Sequence, residues 1–307
     1  METFRRLSLT TEITIKSTGS TFLLAETGAL SACGHNAFGQ LGLGDSQDRS
    51  TLTRVPLDES VKTVVTNSNS TYVITSSGAL SACGHNYYGQ LGLGDEQGRS
   101  ILTRVPLEER VKMIAVSGSS VFVLTVNGAL YTCGNNLYGQ LGIGESRKRS
   151  TLQRVPLDER VKTVVAGDAS AYFLTVSGAL YACGYNKYGQ LGLGDNRDRR
   201  TFTRMPLEES AKTVINGSIS VFVLTFSGAL YACGDNRYGQ LGLGDSSNRS
   251  TLTRVPLSAR AKTVGIYYYS AFVLTVNEEL YACGGNEYGQ LGLGDSRDRL
   301  VMTPISY

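Results

Sequence analysis

The dipeptide Cys-Gly recurs at Cys33, Cys83, Cys133, Cys183, Cys233 and Cys283, a spacing of 50 residues each time, with no insertion or deletion. A second string, GQLGLG, begins at Gly39, Gly89, Gly189, Gly239 and Gly289 in the same phase, and reads GQLGIG from Gly139. A fixed period of this length marks a chain made of one supersecondary unit, each copy burying its apolar surface against its neighbours. The fold therefore depends on what a single unit of 50 residues can form.

Residues 151–195 show that unit: TLQRVPLDERVKTVVAGDASAYFLTVSGALYACGYNKYGQLGLGD. The segments TLQRVPL, VKTVVA, AYFLTV and ALYACG are short and rich in β-branched and aromatic residues, and they read as strands. No stretch keeps a helical period over about 11 residues. Asp158-Glu159-Arg160 reads as a hairpin turn between the first two strands. Ser177-Gly178 reads as a tight turn between the last two, with Asn127-Gly128 in that place one repeat earlier, because Gly accepts positive φ. The sixth copy has Asn277-Glu278 there, so a strained or altered turn is expected. Pro56, Pro106, Pro156, Pro206 and Pro256 fall in the first strand, where a missing N–H is tolerated at an edge or bulge. This puts the first strand at the outer edge of each blade and the Cys-Gly strand near the axis. A loop such as Gly184 to Arg200 then crosses roughly 15 Å to the next blade.

Four antiparallel strands repeated in this way form either a propeller or a long solenoid, and the two ends favour a closed propeller. VMTPISY at 301–307 has the phase of TLTRVPL, and residues 11–34 supply only the later three strands of a blade. The segment 300–307 is expected to complete the first blade and close the ring by terminal strand pairing, although METFRRL at 1–7 shares its phase. The expected fold is all-β: a six-bladed β-propeller with four antiparallel strands per blade, forming one domain over residues 1–307.

The run GALYACGYNKYGQLGLGD, present in variant form in all six units, resembles the repeat of the regulator of chromosome condensation (RCC1) family over essentially the whole chain. The resemblance independently implies a propeller. It also implies two kinds of function: nucleotide exchange on the small GTPase Ran, and service as an interaction module, including in ciliary and cytoskeletal assemblies. The family's founding exchange factor has seven blades, whereas six repeats are counted here. Cys33 and its equivalents stand where the family usually has Trp, and Ser20, Ser70, Ser120, Ser170, Ser220 and Ser270 where it often has His.

Charge and chemical motifs exclude several classes of function. A net charge of +3 from 29 basic and 26 acidic residues gives no electrostatic case for nucleic acid, which calls for a basic face, so nucleic acid is not an expected partner. No apolar run approaches the ~18 residues of a membrane span, and METFRRLSLT lacks the apolar core of a secretory signal. An intracellular, cytoplasmic location is expected, with cytoskeleton and nucleus left open. The six Cys form one ring of equivalent positions without a C-x-x-C pair, and they read as small buried hydrophobes in a reducing compartment. GQLGLG opens no helix, as a phosphate cradle would, so its Leu (Leu41, Leu91 and equivalents) is read as a plug between blades. The acid-to-base pattern from Asp45–Arg49 to Asp295–Arg299 reads as an ion pair within each loop rather than a calcium site. His35 and His85 have no catalytic partner in the sequence.

Alternating strand polarity sends the second-to-third strand loops and the blade-to-blade loops to one face, and that face holds the positions that differ between repeats. After Cys-Gly stand His35, His85, Asn135, Tyr185, Asp235 and Gly285, and two residues on stand Ala37, Tyr87, Leu137, Lys187, Arg237 and Glu287. The outlier is Tyr267-Tyr268-Tyr269, since tyrosine is enriched at interface hot spots. The expected partner-binding set is Tyr267, Tyr268, Tyr269, His85, Tyr87, Tyr185, Lys187 and Arg237. The expected function is a non-catalytic protein–protein interaction scaffold, for example in a cytoskeletal or ciliary assembly, with no catalytic residue, metal or cofactor. The alternative is a guanine nucleotide exchange factor or regulator of a small GTPase, and a third reading is a recently duplicated propeller with little evolved function.

Overall fold

The β-branched and aromatic segments of each repeat form strands where the sequence places them. The computed structural model describes residues 19–67 and 69–306, and in those residues the strands pair into six antiparallel sheets with no helix. The chain divides into two compact units, residues 1–135 with 148–153 and residues 136–147 with 154–307. In the first unit one sheet contains β1 (Ser20–Leu24), β2 (Leu30–Gly34) and β3 (Arg49–Arg54), and the next β4 (Val61–Thr66), β5 (Ser70–Thr75), β6 (Leu80–Gly84) and β7 (Arg99–Arg104). The third sheet is β8 (Val111–Ser117), β9 (Ser120–Thr125), β10 (Leu130–Gly134) and β11 (Arg149–Arg154), of which Arg154 falls to the second unit. The second unit holds three more sheets. They are β12 (Val161–Ala166) to β15 (Arg199–Arg204) with β13 (Ser170–Thr175) and β14 (Leu180–Gly184) between; β16 (Ala211–Asn216), β17 (Ser220–Thr225), β18 (Leu230–Gly234) and β19 (Arg249–Arg254); and β20 (Ala261–Tyr267), β21 (Ser270–Thr275), β22 (Leu280–Gly284) and β23 (Arg299–Pro304).

The strand order corrects the expected grouping. A sheet is not one sequence repeat. It runs second, third and fourth strand, then the first strand of the following repeat, as in β4-β5-β6-β7. The short Asp-Glu-Arg segment is therefore the link between sheets, and the long loop after Cys-Gly is a hairpin loop within one sheet, with Gly184 facing Arg199 across a bulge. The Pro-bearing strand is an edge strand, as expected, but Pro56 lies just beyond the end of β3, and the Cys-Gly strand is interior to its sheet. The C-terminal segment follows the same rule. Residues 299–304 pair with β22 (Gly284↔Arg299, Tyr281↔Pro304) and form the fourth strand of the sixth sheet. This corrects the expectation that 300–307 completes the first blade. The segments 1–7 and 11–16, expected near that blade, lie outside the described residues.

The core sits between adjacent sheets. In the first unit Leu91, from the GQLGLG loop of the second sheet, is buried with Tyr72, Ile74 and Leu80 of its own sheet and Val121, Val123 and Cys133 of the next. In the second unit Leu191 does the same with Tyr172 and Leu174 on one side and Val221, Val223 and Cys233 on the other. The Leu thus plugs the joint, as expected. The thiols complete it: Cys133 Sγ donates to Gln90 O at 3.4 Å and Cys183 Sγ to Gln140 O at 3.2 Å. All six thiols are free, and burial pushes those of Cys133 and Cys233 up to about 12, so they stay protonated packing groups.

The turn at Asn277-Glu278 is strained, as expected. Glu278 sits at φ 63°, the place that Gly128, Gly178 and Gly228 fill at 83–88°. Its carboxylate accepts a hydrogen bond from Lys262 at 2.5 Å, but both groups are largely exposed, so the pair offsets little of the strain. Glu278→Gly should raise stability by about 1 kcal/mol, seen as a melting temperature about 2–3 °C higher. A lower melting temperature would show that the ion pair outweighs the strain.

Candidate protein-interaction face

Strand alternation survives the regrouping of the sheets, so the second-to-third strand loops and the loops after Cys-Gly emerge at the same end of each sheet. One backbone hydrogen bond joins the two loops in every sheet: His85 N donates to Asn69 O, Tyr185 N to Ala169 O, Asp235 N to Ile219 O and Gly285 N to Tyr269 O, all at 2.8–2.9 Å.

The loop after Cys-Gly is organised by an asparagine that sequence reading passed over. Asn186 is fully buried; its Oδ1 accepts from Leu191 N at 2.9 Å and its Nδ2 donates to Asp195 O at 2.9 Å. Asn36, Asn86, Asn136, Asn236 and Asn286 repeat this pattern. The expected ion pair is present as well: Arg199 Nη2 donates to Asp195 Oδ2 at 2.8 Å, and this hydrogen bond, followed by one from Arg197 N, holds the Asp195 carboxyl below its ordinary range. The same pair holds Asp45, Asp95, Asp245 and Asp295. Among the described residues no group of three or more His, Cys, Asp or Glu could hold a metal ion.

The variable position after Cys-Gly also has an internal task. In each loop a Gln, buried in all but the sixth, uses its Oε1 to accept the backbone N–H two residues earlier, as Gln90 does from Tyr88 at 3.0 Å and Gln240 from Tyr238 at 2.9 Å. Its Nε2 must then donate elsewhere. Gln40 and Gln90 donate to Nδ1 of His35 and His85 at 2.8 and 2.9 Å, so each His is an acceptor at Nδ1. Gln240 donates to Asp235 Oδ2 at 2.8 Å. In the third repeat Gln140 Nε2 is buried with no partner.

Asp235 is a carboxylate with 0% exposure, and Arg237 Nε donates to its Oδ1 at 2.8 Å. Arg237 is therefore both a surface group and the counter-ion of a buried charge. Arg237→Ala should destabilise the protein by about 2 kcal/mol in urea unfolding, because it leaves that carboxylate with the Gln240 amide alone. Adding Asp235→His, the residue that serves the same Gln in the first two repeats, should recover most of the loss. No recovery would mean that packing of Arg237, and not its charge, carries the effect.

In the first unit Phe38 meets the His85 ring edge-on at 5.2 Å, His85 stacks on Tyr87 at 6.4 Å, and Lys148 Nζ lies 4.9 Å from the Tyr87 ring while paired with Glu96 at 2.7 Å. Tyr87 is 61% exposed. In the second unit Tyr185 packs between Tyr138 (4.9 Å) and Tyr188 (6.2 Å), and Arg237 covers the Tyr188 ring at 5.4 Å. Lys187 is exposed beside them on the same loop. Tyr269 packs on Tyr238 at 4.7 Å, and Tyr267 meets Tyr268 at 4.8 Å. A groove of about 1020 Å³ is lined by Tyr238, Tyr267, Tyr268, Tyr269, Tyr288 and Glu287. Tyr268 stands at φ 51°, where the third repeat has Gly118 at 53°, and it is 75% exposed.

The sequence matches the model of the RCC1-like domain over residues 18–306. The chain belongs to the RCC1-like family. The structure of this RCC1-like domain is similar to that of human WBSCR16, with a TM-score of 0.75 and 22% identity over 94% of this chain and 80% of the other. It is also similar to yeast RCC1 (Prp20) solved bound to Kap60, with a TM-score of 0.74 and 20% identity over 94% and 73% of the two chains. A third similar structure is Prp20p from Saccharomyces cerevisiae (TM-score 0.71, 22% identity, 94% and 75% covered), described together with its binding to Gsp1p and histones. A search of curated protein sequences finds no match. At these identities the likeness establishes the fold, a β-propeller of the RCC1 type. Among the described residues no helix is long and apolar enough to cross a membrane.

Proposed function

We propose that this RCC1-like domain is a non-catalytic protein-interaction scaffold, with a protein partner held on the loop face and Tyr267, Tyr268 and Tyr269 as its anchor. The observation that carries this reading is Tyr268. A bulky aromatic residue held in a left-handed turn costs roughly 1–3 kcal/mol, and here it gains no burial in return. Such strain on an exposed aromatic residue is accounted for by a task outside the fold. By themselves, the loops of the first unit present His85 and Tyr87, and those of the second Tyr185, Lys187 and Arg237, aromatic and cationic groups suited to a protein surface. Free buried thiols in every repeat but the first suit an intracellular location.

Substitution of all three tyrosines by Ser tests the reading by affinity capture from the source cell with mass spectrometry. Loss of one hot-spot tyrosine costs about 2 kcal/mol, or about thirty-fold in affinity, so the captured partner should fall below detection while the melting temperature stays within about 2 °C. Unchanged capture overturns it. A second reading, a regulator of a small GTPase, draws support from the likeness to Prp20p, which was described with its binding to Gsp1p. Stimulated nucleotide release from a purified GTPase panel would favour that reading over the scaffold.

A further inference from the structure

The short links that follow each edge strand repeat a charge pattern. Four of the five carry adjacent acids in one phase: Asp58-Glu59, Glu108-Glu109, Asp158-Glu159 and Glu208-Glu209. The fifth reads Ser258-Ala259 there. An arginine precedes every link, at Arg54, Arg104, Arg154, Arg204 and Arg254, so four links set two acids against that base and the fifth sets none. The fifth link also ends in a second base, Arg260.

The consequence shows at the turn end of the fifth sheet, opposite its loop end and wholly within the second unit. There the turn at Ser227-Gly228 and the link enclose a groove of about 710 Å³. Leu230 and Val255 are buried beneath it, and the charged residues lining it are Arg254 and Arg260, both exposed, with no acid. The turn holds the Arg260 stem against the wall, since a Cβ added at Gly228 would lie 2.7 Å from Arg260 Cβ. Among the described residues neither guanidinium has a hydrogen-bonded or ion-paired partner. Two carboxylates stand beside the groove, and both have partners of their own. Glu209 accepts from Ser227 Oγ and from Tyr231 OH at 3.1 Å, and Glu279 accepts from Tyr281 OH at 3.4 Å. The same corner of the first sheet, within the first unit, encloses about 210 Å³ and sets Asp58 and Glu59 beside Arg54.

We propose that this groove docks an acidic segment of a partner protein, which brings to Arg254 and Arg260 the adjacent carboxylates that the fifth link lacks. The occupant follows from charge: the planar fork of arginine matches a carboxylate with two parallel hydrogen bonds, and clustered arginines read acidic motifs. The apolar floor takes the stems of the long side chains laid across it. The groove lies at the other end of its sheet from the loops, so the proposal stands independently of the partner assigned to the tyrosines.

Fluorescence anisotropy of a labelled peptide of sequence GSDEEDSG, titrated with the full chain at about 50 mM salt, tests the proposal. Saturable binding is expected, and the neutral peptide GSNQQNSG should not bind. Arg260→Gln should weaken binding about threefold. Ser258→Asp combined with Ala259→Glu rebuilds the acid pair of the first link and should abolish binding, because like charges then face each other across the groove. The fold should tolerate that pair, with a melting temperature within about 2 °C of wild type, since the introduced glutamate has Tyr281 to accept from, as Glu159 accepts from Tyr181 at 3.0 Å. Arg254→Gln combined with Arg260→Gln, expected to cost about tenfold, replaces it if the acid pair lowers the melting temperature further. A wild-type protein that does not bind the acidic peptide overturns the proposal, as does binding unchanged in the variants. So does a labelled oligothymidylate of equal charge that binds more tightly than the peptide and is lost in the same variants, which would assign the groove to nucleic acid.

Discussion

Asn186→Ala is expected to cost about 3 kcal/mol or more in urea unfolding, a melting temperature lower by about 6–10 °C. The side chain is small, but it is fully buried, and its removal strands Leu191 N–H and Asp195 C=O, each worth roughly 1–3 kcal/mol when left unpaired. The cost spreads further than the loop, because Leu191 is the plug between two sheets and its backbone N–H is held by this asparagine. Asn186→Asp is the informative control. It can still accept from Leu191 N, but it cannot donate to Asp195 O and brings a second carboxylate toward Asp195. It should therefore be no better than Ala. Arg199→Lys, by contrast, alters an ion pair whose acid is 38% exposed and should leave the urea-unfolding midpoint nearly unchanged. If Asn186→Asp behaves as wild type, the loop is held by packing and the hydrogen-bond account is wrong.

Gly184→Ala is expected to be as damaging, about 3–5 kcal/mol, for a different reason. The residue sits at φ 98°, and a Cβ would lie 2.3 Å from Ala169 O and 2.9 Å from Ser170 Cα, both backbone atoms that no rotamer change can move. Relief requires the second-to-third strand loop to swing away from the loop after Cys-Gly, breaking the hydrogen bond from Tyr185 N to Ala169 O. The substitution should therefore open the candidate face near Tyr185 as it destabilises the sheet. Amide hydrogen exchange at Tyr185 should quicken at least tenfold, and unchanged protection there would contradict the account.

The strands, the tight turns and the end of each sheet at which the variable loops emerge were legible because each follows from local rules: β-branched runs, glycine at positive φ, and alternating polarity. Polarity sends these loops to the same end of their own sheet whichever strand ends it, so the regrouping leaves that expectation unchanged. The grouping itself was not legible. A three-residue link such as Asp158-Glu159-Arg160 looks like a hairpin, and the fourteen-residue loop 185–198 looks like a crossing, until the buried Asn186 is seen folding that loop back on its own sheet. Asn186 is the same in all six repeats, so nothing in a comparison of one repeat with the next sets it apart from scaffold residues. The double duty of Arg237 was hidden for a related reason: Asp235 looks like one more surface residue until its burial is known.

Because each sheet takes its edge strand from the following repeat, the period of the text and the period of the object are out of step. Cutting the chain where the sequence repeats, between Arg99 and Ile101 for example, severs a strand from the sheet it belongs to. Cutting at the short links, such as residues 57–60, removes whole sheets. Engineers lengthening or shortening this protein by modules should splice at those links. Tandem duplication in the genome is free of the constraint, since any 50-residue segment copied in tandem, whatever its starting phase, restores one strand for each strand it displaces.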